Sequence, residues 1–62
     1  MTEQDRENLI QAAQKATVMA SNLKALTAST DPFLAEISTD LLVTAGALEQ
    51  RLNRLVALAS SD

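Results

Sequence analysis

Eight carboxylates and five basic side chains make up the charged chemistry of this 62-residue chain, which has no His, Cys, Trp or Tyr. General acid–base catalysis at neutral pH asks for a positioned His, or for carboxylates whose pKa values burial has driven apart. Glu3, Asp5 and Glu7 crowd the first turns of a helical stretch, where the positive end of the helix dipole accounts for them. Asp31 precedes Pro32 and reads as a cap, while Glu36, Asp40 and Glu49 fall at outward positions. A Ser or Thr nucleophile would need a neighbouring base, and no His exists to serve. Lys15 and Lys24 face outward and read as solvated. The carboxylates lack metal-ligand spacing, and one Gly cannot make a phosphate-cradling loop. The residues therefore point to no catalytic, cofactor-binding or metal site, and the chain is not expected to be an enzyme.

The net charge of −3 argues against non-specific attachment to nucleic acid or anionic membrane. Only Arg6, Lys15, Lys24, Arg51 and Arg54 could reach a phosphate, and the last two sit where the negative end of a helix would attract them. Nucleic acid is thus not the expected partner. The most apolar stretch, Leu41 to Ala59, carries Glu49, Arg51 and Arg54, so no membrane span is expected. The opening "MTEQDRENLI" is acidic and polar, unlike a signal peptide, and with the lack of Cys it suits a cytoplasmic setting.

The elements that position these groups follow from a single interruption. One Gly and one Pro leave few places to stop a helix, and "ASTDPFLAE", residues 28–36, holds the Pro. Asp31 at an N-cap accepts from free backbone amides, and Pro32 at the first helical position has no N–H to lose. Upstream, Thr27-Ala28-Ser29-Thr30 ends a helix with no Gly to cap it. Thr2 can cap the first helix, and Ser60-Ser61-Asp62 reads as a frayed end. One domain over 1–62 follows: helix 1 about 3–28, a corner at 29–31, and helix 2 about 32–59.

Each half carries an apolar stripe at helical spacing. The expected hairpin seam is Leu9, Ala12, Ala16, Met19, Leu23 and Leu26 against Leu34, Ser38, Leu41, Ala45, Leu48, Leu52, Leu55 and Ala59. Folding at residue 30 or 31 sets Leu26 against Leu34, Met19 against Leu41, Ala16 against Ala45 and Leu9 against Leu52. Phe33 is expected to pack across the hairpin end. Ile37, Leu42, Val56 and Leu58 flank the second stripe, Ala13 and Ala20 the first, and stripes this broad suit a four-helix bundle made from two hairpins. Further out, Ile10, Val18, Val43 and Gly46 form a candidate face for another protein. Gly46 in a helix interior costs up to about 1 kcal/mol relative to Ala, which is either a tolerated surface Gly or a close-approach contact.

The plan resembles the Rop family, small plasmid copy-number proteins that form dimers of helical hairpins and bind RNA loop pairs. The residues that carry the resemblance are "MTEQ", Leu9, Ala12, Leu26, Leu41, Ala45 and Leu48, aligned without gaps over nearly the whole chain. It implies the hairpin architecture. The positions matching that family's RNA face are Glu3, Ile10, Gln14, Val18 and Ala25, an acidic and apolar set where the family is basic, amide-bearing and aromatic. "AGALEQRLNRLVAL", residues 45–58, is also similar to small helical-hairpin co-chaperones of type III secretion, which shield an export subunit by packing helices against it.

The expectation is an all-α antiparallel helical hairpin that pairs into a homodimeric four-helix bundle and acts as a regulatory or adaptor module. Its partners would be a second copy and, on the outer face, another protein. The alternatives are a co-chaperone-like shield for a partner subunit and a Rop-like RNA-binding regulator.

Overall fold

The computed structural model describes residues 1–60; Ser61 and Asp62, part of the expected frayed end, lie outside them. Two helices make up the fold, α1 over Glu3–Leu26 and α2 over Pro32–Ala59, packed as a hairpin 46 × 15 × 11 Å in extent. The described residues contain no strand.

Local chemistry sets the ends. The Thr2 hydroxyl accepts from the Asp5 amide at 3.0 Å while the Asp5 carboxylate accepts from the Thr2 amide at 3.2 Å. This reciprocal capping box satisfies two otherwise orphaned donors. Asp31 caps α2, its carboxylate accepting from the amides of Phe33 and Leu34 at 3.0 and 3.3 Å. The C-terminal end of α1 comes at Leu26, two residues before the expected 28. There the chain tightens: the Ala28 and Ser29 amides donate to the carbonyls of Ala25 and Leu26, three residues back, at 3.2 and 3.0 Å. The Thr27 hydroxyl takes up the Lys24 carbonyl at 2.6 Å. With no Gly to enter the left-handed region, and none of the described residues at positive φ, the helix unwinds through this tighter turn.

Between the helices, the closest contact is made of small residues. Ala13, Ala16, Ala20 and Ala45 are 4–9% exposed, and Ser38, at 1%, is the most deeply buried side chain. The half-buried residues extend this contact into a heptad line of Arg6, Leu9, Ala13, Ala16, Ala20 and Leu23 on α1, continued by its C-cap Thr27, and of Ala35, Ser38, Leu42, Ala45, Glu49, Leu52, Val56 and Ala59 on α2; Gly46 and Ser29, also half-buried, lie off it. Every step is three or four residues, the spacing of a coiled-coil seam.

This line is turned by about 50° from the expected one, half the angle between successive helix residues. Leu9, Ala16, Leu23, Ser38, Ala45, Leu52 and Ala59 belong to both. Ala12, Met19, Leu26, Leu34, Leu41, Leu48 and Leu55 instead stand exposed beside the contact, and Ala13, Ala20, Leu42 and Val56 enter it. The physical reason is size. Two helices with nothing else to pack on approach most closely where their side chains are smallest, and Leu26, Leu34, Leu41, Leu48 and Leu55 are left along the rim. Phe33 departs further. It is 72% exposed, because it falls on the line of α2 opposite the seam and does not reach across the hairpin end.

Candidate functional site

Beside the seam, α2 repeats one residue type every seven positions: Leu34, Leu41, Leu48 and Leu55, each 38–50% exposed. The matching line of α1 carries Asp5, Ala12, Met19 and Leu26. In an antiparallel pair these two lines flank the seam on the same side, so the hairpin presents one leucine-bearing face. At its middle lies an open groove of about 280 Å³ lined by Met19 and Leu23 from α1 and Leu41, Thr44, Ala45 and Leu48 from α2.

The lines on the other side of the seam are different in kind. They are Ile10, Thr17 and Lys24 on α1 and Thr39, Gly46 and Asn53 on α2. Thr17 and Thr39 donate their hydroxyls back to the Ala13 and Ala35 carbonyls at 3.2 and 2.8 Å, which ties these polar groups to their own helices. Grooves on this side are lined by Gln14, Thr17, Asn53 and Val56 in one place and by Ser21, Lys24, Gly46 and Glu49 in another. The hairpin is therefore two-faced, apolar on one side of the seam and mixed on the other.

The residues singled out from the sequence divide accordingly. Of the four flanking residues, Leu42 and Val56 are half-buried in the seam, whereas Ile37 and Leu58 extend the leucine face along its outer edge. Of the candidate partner face of Ile10, Val18, Val43 and Gly46, Ile10 and Gly46 fall on the mixed side of the seam. Ile10 lines a groove with Asn53 and Val56, Gly46 lines one with Ala20 and Leu42, and Thr17 borders both. Val18 and Val43, 59% and 73% exposed, stand on outward lines of different helices. Within the hairpin Gly46 makes no close approach, since a Cβ there would meet nothing within 4 Å.

Sequence reasoning assigned no role to Thr44, which stands with Arg51 among the leucines of the outer edge, and it assigned Asp5 to the helix dipole without its part in the capping box. The four leucines were expected inside the seam, and their constant spacing of seven is the signal that sets them apart as a line of their own. Among the described residues no three potential metal ligands converge, no buried side-chain polar atom lacks a hydrogen-bond partner, and no helix is long and apolar enough to cross a membrane. No family model matches the chain, and neither does any curated protein or solved structure.

Proposed function

We propose that this chain is a non-catalytic interaction module that acts by packing its leucine face against the helices of a second molecule. The partner is first of all another copy, and the product is a homodimeric four-helix bundle. One observation carries the reading: the hairpin fully buries only small residues and leaves a line of leucines exposed. Among the described residues, every side chain less than a tenth exposed is an Ala or a Ser, while Leu34, Leu41, Leu48 and Leu55 line one face at 38–50% exposure. Burying such side chains fully is worth about 1.5–3 kcal/mol each, and in the lone hairpin much of that remains to be gained. A domain of this size commonly needs such a supplement. Regulation or adaptor work would follow from what the assembled bundle presents outside.

Light scattering across a concentration series, with helicity followed by circular dichroism, tests this. A helical dimer at micromolar concentration is expected. A poorly helical monomer would count against self-association and shift the leucine face to a different chain, as in a co-chaperone; a pull-down would then identify that chain.

A further inference from the structure

The leucine face is lopsided. On α2 its outer edge interleaves the leucine repeat with Ile37, Thr44, Arg51 and Leu58, whereas the same edge of α1 interleaves Asn8, Lys15 and Asn22. The outer edge of α2 is thus a second heptad stripe, Leu34, Ile37, Leu41, Leu48, Leu55 and Leu58 with Thr44 and Arg51 between, and its apolar members are 38–64% exposed. The stripe reads nearly the same from either end. When α2 is laid antiparallel on a second α2 about a two-fold axis near Gly46, Leu34 meets Leu58, Ile37 meets Leu55, Leu41 meets Arg51 and Thr44 meets Leu48.

The charges are arranged in the same way. Asp40, Ala47 and Arg54 form the next line outward on α2, and Asp40, Arg51 and Arg54 are all exposed. In the antiparallel pairing Asp40 faces Arg54 of the second copy, Ala47 faces itself across the axis, and Arg51 lays its stem along Leu41 with its guanidinium toward Asp40. A parallel pairing would set Asp40 against Asp40 and Arg54 against Arg54. We infer that two copies associate through α2 against α2, antiparallel, about an axis near residues 46–47, with Asp40–Arg54 pairs on either side of it. The inference rests on the self-association proposed above and specifies which helices meet across the two-fold axis and in which direction.

The chain has no Cys, so one introduced thiol carries one spin label per copy. With labels on full-length Ala47→Cys and Glu36→Cys, dipolar spectroscopy should give a short separation at 47 and roughly 30 Å at 36, from the rise of 1.5 Å per residue on each side of the axis. Short separations at both positions, or a long one at 47, would overturn the antiparallel contact while leaving dimerisation standing. A monomer throughout would overturn the self-association reading and this inference with it. Charge exchange gives an independent arm. Asp40→Arg and Arg54→Asp should each weaken the dimer roughly tenfold, since each converts two attractions into two repulsions. The double variant D40R/R54D, and an equimolar mixture of the two single variants, should recover wild-type affinity. Single variants as tight as wild type would overturn the inference.

Discussion

Thr2 and Asp31 each satisfy backbone amides that a helix start leaves open, and Asp31 does so at the one place where the chain must turn. Asp31→Ala should cost about 1 kcal/mol, the usual loss on removing such a cap, read from the midpoint of chemical denaturation at fixed protein concentration. An unchanged midpoint would mean that Pro32 and the packing of α2 define the corner without the carboxylate. Gly46 gives the opposite sign. Its φ is not positive and a Cβ there has open space, so Gly46→Ala should raise stability by about 0.5–1 kcal/mol through helix propensity. Destabilisation would reveal a contact made at Gly46 by something outside the single hairpin.

The two helices hold each other through a seam in which Ala is the recurring residue and Ser38 the most buried. Such a seam tolerates no added volume. Ser38→Leu should therefore destabilise by about 1–3 kcal/mol, the range for overpacking, although leucine is the better helix former and the more apolar residue. Ser38→Ala, which keeps the size, should be nearly neutral. Thermal melts of the pair decide the point: if Ser38→Leu melts at or above the wild-type temperature, closeness of the backbones is not what the small residues provide.

For the molecule as a whole, the leucine face lies beside the seam, so it can be changed without disturbing the contact between α1 and α2. Leu41→Lys combined with Leu48→Lys puts two charges on the face while leaving Ala13, Ala16, Ala20, Ser38 and Ala45 in place. Sedimentation should then show a monomer at concentrations where the wild-type chain is dimeric, with a melting temperature that no longer depends on concentration. A variant that still dimerises would locate the contact elsewhere on the hairpin.

The number of helices, the corner at Asp31-Pro32 and the apolar stripe on each helix were all legible in the sequence, because caps and periodicity are local properties of a few neighbouring residues. The end of α1 was less so, since Thr27 to Ser29 carry no Gly and the turn they adopt depends on competing hydrogen bonds three and four residues back. Which stripe lies inside was decided only by the tertiary structure. Two adjacent lines on each helix are apolar, and composition ranks the leucine line first. A pair of helices packs instead where the backbones can come nearest, which places Ala13, Ala16 and Ala20 with Ser38 and Ala45 at the contact and leaves Leu34, Leu41, Leu48 and Leu55 along one face. That choice depends on the distance between two helices distant in sequence, a quantity that no local pattern carries.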